Sequence, residues 1–405
     1  MNKIDTVVIV NDFNYINGGA AKVAIETAKL LVPKGFKTYF FSAEDSNEDK
    51  INGVNYITTN QKASLDDTNK LRGALNGIWN RKAYKELKNL LGNLNKEKTV
   101  VHIHGWMKAL SSSIFKAIKD MNFNYVVTYH DYFSYCPNGG FYNYQKNKIC
   151  KLKPLSWKCI KCNCDSRNYT IKLYRLIRQF VQNKIVKINE INKNIISISD
   201  FSYQILKDSI SKDATIRKIY NPIGEMEDKD KIINIEKNDY YLYVGRISKE
   251  KGVEYFCQAI TKLGIKGIVV GDGSEKEQLQ QKYKNIQFTG WKNSQEVKEY
   301  MKKARALIFP SIWYEGAPLT ILEAQMIGLP VLVSDCCAGI EFVYDKKLIF
   351  MNKNIEDLIK KILNLEKNIV YISNEVYKKS NKQYNKLYIE KIIEFYDFIG
   401  ANDES

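Results

Sequence analysis

The sequence contains no apolar run that approaches the roughly 18 residues needed for a membrane-spanning helix. Its first apolar run, Thr6–Val10, is too short for a signal peptide, and an acidic residue, Asp5, closely follows the first lysine. We therefore expect a cytoplasmic protein. Because no export signal is visible, disulfides are the least favoured state of its eight cysteines, and free thiols or a metal site are the alternatives.

The composition excludes a disordered chain. Hydrophobic residues make up 44% of the 405 residues and aromatic residues 12%, which is ordinary for a globular protein with a well-developed core. At about 150 residues per domain, this length predicts two or three domains.

The net charge of +17 lies entirely in the first half of the chain. Residues 1–222 hold 35 Lys and Arg against 18 Asp and Glu, whereas residues 223–405 hold 27 of each. The densest part is 151–200, with 11 basic and three acidic residues. Such a field attracts nucleic acid, a phospholipid surface or a phosphorylated substrate. A plain solvated basic surface is the alternative.

Strands alternate with helical patterns in two series, which predicts two doubly wound α/β domains with parallel sheets. The polar stretch 224–239 separates the series, so we place an N-terminal domain at 1–222 and a C-terminal domain at 223–405. Ligands of such folds lie at the carboxyl ends of the strands, which predicts a site in a cleft between the domains. An amphipathic helix at about 381–399 is a candidate to pack back on the N-terminal domain.

The segment FPSIWYEGAPLTILE carries the strongest candidate site. Glu315 lies in the loop after a predicted strand, and Pro318 fits the first turn of a helix. Unpaired N–H groups near Leu319 and Thr320 suit an anion. Eight residues separate Glu315 from Glu323, so the carboxylates can reach opposite ends of a nucleotide sugar with its diphosphate between them. Two surface glutamates beside a turn are the alternative.

Arg246 and Lys251 form a second candidate site in the segment YYLYVGRISKEKG. Arg246 follows a predicted strand at its carboxyl end, and Lys251 begins the next helical region. Two fixed cations there could neutralise a departing diphosphate without a metal, because that charge grows in the transition state. A solvated basic turn is the alternative.

Glycines stand at two other strand ends. The pair Gly18-Gly19 opens a predicted helix and would let the backbone approach a phosphate or a sugar closely. Gly271 and Gly273 follow a strand in a pattern that resembles a nucleotide loop. Plain turns are the alternative at both places.

The chain has only three histidines. His130 follows a predicted strand, so it should face the same cleft, where it can donate to a substrate hydroxyl or sense its charge. A structural histidine is the alternative. His102 and His104 alternate along another strand, and for them we expect core or cleft packing rather than a metal pair.

Five cysteines lie between residues 136 and 164, in an insertion that interleaves lysine and aromatic residues. Cys159 and Cys162 have the spacing of a zinc knuckle. The spacing of Cys136 and Cys150 is irregular, and Cys164 makes the ligand set ambiguous. Structural zinc, free thiols and disulfides therefore stay open.

Together these residues resemble the retaining glycosyltransferases of family 4, which have the GT-B fold of two Rossmann-like domains facing across a cleft. The resemblance covers about 1–345, and its most specific motif is the family's Glu-x7-Glu signature. The matching motifs are GGA at 18–20, HD at 130–131, NP at 221–222, VGRISKEKG at 244–252, VVGDG at 269–273, FTGW at 288–291 and EGAPLTILE at 315–323.

The resemblance implies a role for each matched residue. Arg246 and Lys251 would grip the donor diphosphate, and Glu315 would contact hydroxyls of the donor sugar near the reacting carbon. Glu323 would bind the ribose, and His130 would lie near the transferred sugar. The remaining implied donor contacts are Gly19 near the phosphate or the acceptor, Gly271, Gly273 and Trp291 around the base, and Gly316, Pro318, Leu319 and Thr320 near the diphosphate.

The activity implied is the transfer of a sugar, with retained configuration, from a UDP- or GDP-linked donor to a hydroxyl of a glycan or a lipid-linked acceptor. The family needs no metal or other cofactor for catalysis, and we expect no nucleic-acid partner. Similar cysteine patterns in some bacterial members imply structural zinc at Cys136, Cys150, Cys159 and Cys162.

The resemblance also implies that the N-terminal domain binds the acceptor. The positive charge of this domain fits binding to an anionic membrane or to a polyprenyl diphosphate. We therefore expect the protein to act in the biosynthesis of a bacterial surface polysaccharide, at the inner face of the cell membrane. Ala317-Pro318 departs from the commoner family pattern, so the donor sugar stays open. A nucleotide-sugar epimerase of the same fold and a basic zinc-knuckle protein that binds nucleic acid are the alternatives.

Overall fold

The computed structural model of the chain describes most of the sequence. The described residues are 4–46, 50–223, 230–380 and 384–401. Part of the predicted linker, 224–229, and the start of the predicted final helix, 381–383, lie outside the described residues.

The chain divides into two compact units, and neither is continuous in sequence. The first unit comprises Met1–Gly140, Lys151–Pro222 and Tyr384–Ser405, and the second comprises Phe141–Cys150 and Ile223–Gln383. The sequence suggests a single division at residue 222. Two segments depart from it, because Phe141–Cys150 groups with the second unit and Tyr384–Ser405 with the first.

Each unit is built on a parallel sheet, as predicted. The strands of the first unit, in the order β3-β2-β1-β4-β5-β8-β9 within its sheet, are β1 (Thr6–Val10), β2 (Lys37–Ser42), β3 (Val54–Thr58), β4 (Thr99–Ile103), β5 (Asn124–Tyr129), β8 (Asn194–Ser197) and β9 (Thr215–Lys218). The short strands β6 (Tyr142–Asn143) and β7 (Lys148–Ile149) form a separate antiparallel hairpin. The second sheet, in the order β12-β11-β10-β13-β14-β15, contains β10 (Tyr240–Val244), β11 (Lys266–Val270), β12 (Ile286–Gly290), β13 (Ala304–Phe309), β14 (Val331–Ser334) and β15 (Ile349–Phe350).

Helices connect the strands. In chain order the helices of the described segments are α1 (Gly19–Leu31), α2 (Lys70–Ile78), α3 (Arg81–Gly92), α4 (Ser113–Asp120), α5 (Trp157–Lys161), α6 (Tyr169–Phe180), α7 (Ile188–Ile191), α8 (Asp200–Leu206), α9 (Val253–Leu263), α10 (Lys276–Lys282), α11 (Ser294–Lys302), α12 (Leu319–Met326), α13 (Ile355–Glu366), α14 (Ile369–Lys379) and α15 (Tyr384–Ala401). A π-helical turn, Val181–Val186, continues α6. No helix in these segments is both long and apolar enough to cross a bilayer.

The central strands explain why the sheets form. All five residues of β1 are buried and four of them are valine or isoleucine, which suits a parallel strand covered on both faces. Strand β1 pairs with β2 on one side and β4 on the other, and β10 pairs in the same way with β11 and β13. The connections diverge at these central strands, so the loops that follow β1 and β10 lie where doubly wound sheets bind ligands.

Helix α15 packs on the first unit. Its apolar residues Ile392 and Phe395 are buried in that core. The buried hydroxyl of Tyr388 lies 2.6 Å from Thr27 Oγ1, and that of Tyr396 lies 2.6 Å from His102 Nδ1. These two polar pairings fix the helix against α1 and β4, because a buried hydroxyl without a partner is costly.

The cysteine-containing insertion does not stay with the first unit. Its hairpin, β6–β7, groups with the second unit, where Lys353 Nζ donates to the carbonyl of Asn147. Tyr142 of the hairpin is only 1% exposed. Burial raises the pKa of its hydroxyl, and the nearby carboxylate of Glu250 raises it further. Residues 141–150 therefore group with the second unit, whereas the sequence division at residue 222 places them in the N-terminal domain.

Candidate functional site

An ion pair joins the two strongest sequence motifs of the second unit. Lys251, in the turn after β10, places its Nζ 2.5 Å from Glu315 Oε1, in the loop after β13. Both side chains are largely shielded, with 19% and 12% of their surfaces exposed. The two residues are 64 positions apart in sequence, and they meet because β10 and β13 are neighbours with parallel direction.

Two further donors hold the Glu315 carboxylate. Ser311 Oγ donates to Glu315 Oε1 at 2.7 Å, and Trp313 Nε1 donates to the same oxygen at 2.6 Å. Burial by itself would raise the pKa of Glu315, but Lys251 and these two hydrogen bonds together lower the pKa below its ordinary value. Glu315 is therefore an anion at neutral pH, suited to accept hydrogen bonds rather than to donate a proton.

Arg246 lies at the same edge of the sheet. Its guanidinium contacts the buried carboxylate of Glu250 at 2.7 Å while 58% of the side chain stays exposed. Ser248 Oγ donates to the same carboxylate oxygen at 2.8 Å. The backbone of Glu250 in turn accepts from Ile312 N at 2.9 Å, which joins the loop of Arg246 to the loop of Glu315. Both predicted cations thus belong to one connected loop structure.

Glycines permit the close approach of these loops. A Cβ on Gly252, which has a φ of +68°, would lie 2.0 Å from the carbonyl oxygen of Pro310. A Cβ on Gly271, with a φ of +143°, would lie 1.9 Å from the carbonyl oxygen of Gly245. Only glycine fits at either position, so the sequence pattern reflects backbone packing around the loops as well as any ligand contact.

The remaining predicted donor contacts lie on neighbouring loops of the second unit. Pro318 caps α12, and Leu319 and Thr320 begin it. The carbonyl of Glu315 accepts from Ala338 N at 3.0 Å, which supports the loop from the β14 side. The others are Gly316 before α12, half-buried Glu323 within α12, Gly273 after β11, and Trp291, which follows β12 and is 71% exposed.

The first unit holds a separate pocket at the carboxyl ends of β1, β4 and β5. Gly19 and His130, predicted from different motifs, both line it. Asp12 shapes the wall, because its buried carboxylate accepts from the backbone N–H groups of Lys108, Ala109 and Leu110, each at 2.9 Å. A Cβ on Gly19 would meet no atom within 4 Å, so the space beside the start of α1 is open to a ligand.

The three histidines form a row at this pocket, in which His102 and His104 are buried and His130 is half-buried. The rings of His102 and His104 lie 4.1 Å apart, and His104 Nδ1 lies 2.9 Å from His130 Nε2. Burial lowers the pKa of His102 and of His130 to about 3, and it lowers the pKa of His104 well below its ordinary value. All three are neutral at physiological pH, so His130 can exchange hydrogen bonds with a hydroxyl but is a poor sensor of charge.

The four predicted zinc ligands divide between the two units. The hairpin that ends at Cys150 packs with the second unit, whereas Cys136, Cys159 and Cys162 belong to the first. The ammonium of buried Lys172 lies 3.6 Å from Cys159 Sγ, so a cation already stands beside this thiol. Within the described segments no group of three or more His, Cys, Asp or Glu could hold a metal ion. The structure therefore does not support a zinc site built from these four cysteines.

The sequence interpretation did not identify several residues and contacts that contribute to these sites. Ser311 and Trp313 support Glu315, and both stand in the quoted motif between the strand end and the glutamate. Glu250 directly precedes Lys251, and its burial beside Arg246 has no signal in the sequence. His104, for which core or cleft packing was expected, lines the pocket, but its contact with His130 was not foreseen.

Comparison with known proteins finds a family match for most of the second unit. Residues 225–384 match the family model described as "Glycosyl transferases group 1". The UDP-Gal:alpha-D-GlcNAc-diphosphoundecaprenol alpha-1,3-galactosyltransferase of Escherichia coli is 32% identical over 136 residues, which cover 30% of this chain and 34% of that protein. The chain thus matches only about a third of the length of this relative. An uncharacterized glycosyltransferase of Haemophilus influenzae is 24% identical over 392 residues, or 93% of this chain and 94% of the relative.

Solved structures resemble the whole chain. Sucrose-phosphate synthase from Thermosynechococcus elongatus superposes with a TM-score of 0.67 at 16% identity, covering 99% of this chain and 98% of its own. Anabaena Alr3699/HepE in complex with UDP and glucose gives a TM-score of 0.66 at 13% identity, covering 96% and 98%. At these low sequence identities, the structural similarity shows only that the fold is the same. Residues 225–384 are therefore similar to the group 1 glycosyl transferases, and the chain as a whole has the GT-B fold.

Proposed function

We propose that this protein is a retaining glycosyltransferase that moves a sugar from a UDP- or GDP-linked donor to a hydroxyl of a glycan or lipid-linked acceptor. The observation that carries the proposal is the Lys251–Glu315 pair, held next to the Arg246–Glu250 pair at the ends of β10 and β13. The pair lies inside the segment that matches the group 1 glycosyl transferases.

The two cations are suited to stabilise a departing nucleoside diphosphate. Lys251 uses one of its three N–H donors on Glu315, which leaves two for phosphate oxygens. Arg246 is anchored through Nη2 on Glu250, and its exposed remainder can face an anion. Because both are held by carboxylates before substrate arrives, little reorganisation is needed when negative charge develops on the leaving group. Catalysis on this scheme needs no metal or other cofactor.

Glu315 would orient the donor sugar. As a shielded anion it can accept hydrogen bonds from sugar hydroxyls, and such bonds are stronger than those between neutral groups. No protein nucleophile is assigned. The acceptor hydroxyl would attack on the face that the nucleotide leaves, and its proton would pass to the departing diphosphate, so configuration at the sugar carbon is retained.

The other predicted contacts complete the donor site. The start of α12 would receive the diphosphate through Leu319 and Thr320, and Glu323 would bind the ribose. The base would lie against Gly271, Gly273 and Trp291. In the first unit, His130 would exchange a hydrogen bond with the transferred sugar, and the open space beside Gly19 would take phosphate or acceptor atoms.

The names of relatives indicate the class of acceptor. One is named for a diphosphoundecaprenol acceptor, and another, from Escherichia coli K12, is a lipopolysaccharide 1,6-galactosyltransferase with 31% identity over 142 residues. The two matches cover 30% and 31% of this chain, respectively. We infer a role in bacterial surface polysaccharide biosynthesis, with the protein working from the cytoplasm at the inner face of the membrane.

The test is product analysis with a panel of UDP- and GDP-sugars, glycan and polyprenyl-diphosphate acceptors, and chelator present throughout. We expect one donor to give a glycoside whose anomeric proton coupling matches that of the donor. An epimerised nucleotide sugar without transfer would favour the epimerase, and an inverted product would contradict retention. DNA or RNA binding that falls with salt and ignores nucleotide sugars would favour the nucleic-acid alternative.

A further inference from the structure

The segment that follows β14 lies beside the loop that contains Glu315. Strands β13 and β14 are parallel neighbours, so the segments after them leave the sheet at the same edge. Cys336 is the second residue after β14, and its side chain is half-buried. The sequence motifs of the site do not include this cysteine. Its contacts nevertheless connect it to the carboxylate that the donor sugar would meet.

The thiol of Cys336 faces two backbone carbonyls of the loop after β13. Its Sγ lies 3.0 Å from the carbonyl oxygen of Ser311 and 3.6 Å from that of Trp313. Sγ also lies 3.4 Å from Ser334 Oγ, at the end of β14. Burial, opposed in part by the hydrogen bond with Ser334, raises the pKa of Cys336 to about 12. The thiol therefore keeps its hydrogen at neutral pH and can donate it to a carbonyl.

The residues whose carbonyls face Cys336 are also those that hold the Glu315 carboxylate. Ser311 Oγ and Trp313 Nε1 donate to the same oxygen, Glu315 Oε1, at 2.7 and 2.6 Å. Two donors can converge on one oxygen only while the backbone of both residues keeps its place, since each side chain has a fixed reach from its own Cα. A shift of this backbone would weaken both bonds and leave the carboxylate held mainly by Lys251.

The residues after Cys336 hold the same loop at another point. Ala338 N donates to the carbonyl of Glu315 at 3.0 Å. A Cβ on Gly339 would lie 2.6 Å from Val333 Cγ2 of β14, so a larger residue here would push the segment away from the strand. The segment therefore contacts the backbone of the glutamate itself as well as that of the residues before it.

We propose that Cys336 is a positioning residue for sugar transfer, because its thiol fixes the backbone whose side chains hold Glu315. The inference rests on the proposed function, in which Glu315 orients the donor sugar. A slightly displaced carboxylate would hold the sugar away from the reactive geometry, and small misplacements are costly in rate. The base and the ribose contact other residues in that function, and Lys251 stands on the separate turn after β10, so binding of the nucleotide should not depend on the thiol.

Hydrogen exchange of the free protein tests the positioning without any substrate. Exchange of the backbone amides of residues 311–316, read by mass spectrometry, reports how tightly this loop is held. We expect Cys336→Ala to speed exchange there about threefold or more, as for the loss of one modest hydrogen bond. Cys336→Ser keeps an O–H donor near the same place and should restore most of the protection.

The matched control is Cys257→Ala, which removes a fully buried thiol from α9 of the same unit. Because Cys257 belongs to the hydrophobic core, this variant should lower the melting temperature. It should leave exchange over residues 311–316 and turnover as in the native chain. The control therefore separates a loss of core packing from a loss of positioning.

Turnover and binding show whether the positioning serves the sugar. With the nucleotide sugar that supports transfer, we expect Cys336→Ala to lower kcat about fivefold or more, and Cys336→Ser to recover most of it. Calorimetric titration with UDP or GDP, whichever the donor carries, should give the same affinity in all these variants. The extra affinity that the sugar adds over the bare nucleotide should fall in Cys336→Ala alone.

Other outcomes overturn the proposal. Native exchange over residues 311–316 in Cys336→Ala would show that the thiol does not hold the loop, and native turnover would remove its role in transfer. Equal losses of kcat in Cys336→Ala and Cys336→Ser would contradict hydrogen bonding as the cause. Equal losses of sugar and nucleotide affinity would make the thiol a general support of the unit. An absence of transfer by the native chain would refute the proposed function, whereas the exchange experiment would still decide whether the thiol holds the loop.

Discussion

Replacement of Lys251 by alanine tests the proposed catalytic centre most informatively, because two effects can be separated. The loss of a preorganised charge at the leaving group should raise the reaction barrier by about 3 kcal/mol, or roughly 100-fold in turnover. The same change leaves the Glu315 carboxylate with only Ser311 and Trp313 as partners. As the pair is shielded but not fully buried, we expect a loss of about 1–3 kcal/mol in the free energy of unfolding.

A double-mutant cycle separates structural from catalytic loss. In Lys251→Ala/Glu315→Gln both charges are gone, and the amide oxygen can still accept from Ser311 and Trp313, so part of the lost stability should return while turnover stays low. Lys249→Ala is the matched control, because Lys249 is an exposed lysine of the same turn. Its stability should change by less than about 0.5 kcal/mol.

The assay is turnover at saturating donor, together with denaturant unfolding of the four proteins of the cycle. Undiminished turnover in Lys251→Ala would refute the diphosphate role, whatever happens to stability. Strictly additive losses in stability would refute the energetic coupling between Lys251 and Glu315 that the 2.5 Å contact predicts.

Three other expectations follow from the same structure. Gly252→Ala should lower the free energy of unfolding by about 2 kcal/mol or more, because its Cβ would collide with the carbonyl oxygen of Pro310. Gly264→Ala, also at positive φ but in open space, should lower it by about 1 kcal/mol. Equal losses of the two variants in denaturant unfolding would contradict the steric explanation. Acidification from about pH 7.5 to 5.5 should lower the melting temperature, because histidines of the unfolded chain bind protons near pH 6.5 while folded His102 and His130 stay neutral down to about pH 3. Below pH 6.5 each such histidine should lower the free energy of unfolding by about 1.4 kcal/mol per pH unit. His130→Asn should reduce the dependence of the melting temperature on pH, and a melting temperature that does not change with pH would contradict this reasoning. Prolonged chelation should leave turnover unchanged, and a loss that added metal restores would contradict metal-independent transfer.

The parallel sheets were predictable because their central strands are short runs of buried apolar residues. The run TVVIV reads as a strand covered on both faces, and it is one. Helices α2 and α3 are absent from the sequence interpretation, although Asn69 and Asn80 cap them by accepting from Arg72 N and Ala83 N, each at 3.0 Å. A helical start signal was therefore present at both positions, and the sequence interpretation overlooked it.

The sequence predicts which residues lie at strand ends in the candidate site, but not how these residues pair. The sequence pattern predicts that Lys251 and Glu315 follow the ends of strands. Their ion pair, across 64 residues of sequence, depends also on which strands are neighbours in the sheet. The hydrogen bond between His104 and His130 likewise depends on the adjacency of β4 and β5. The assignment of residues 141–150 to the second unit was not predictable, because the cysteine spacing carries no sign of it.

Calorimetric titration with UDP, GDP and their sugars tests the central claim most directly, which is that Arg246 and Lys251 receive a nucleoside diphosphate. The account predicts that one nucleotide binds the native chain and Lys249→Ala equally, and binds Arg246→Ala and Lys251→Ala at least about tenfold more weakly, since charge-assisted contacts to phosphate are lost. Equal affinity in all four proteins would contradict it.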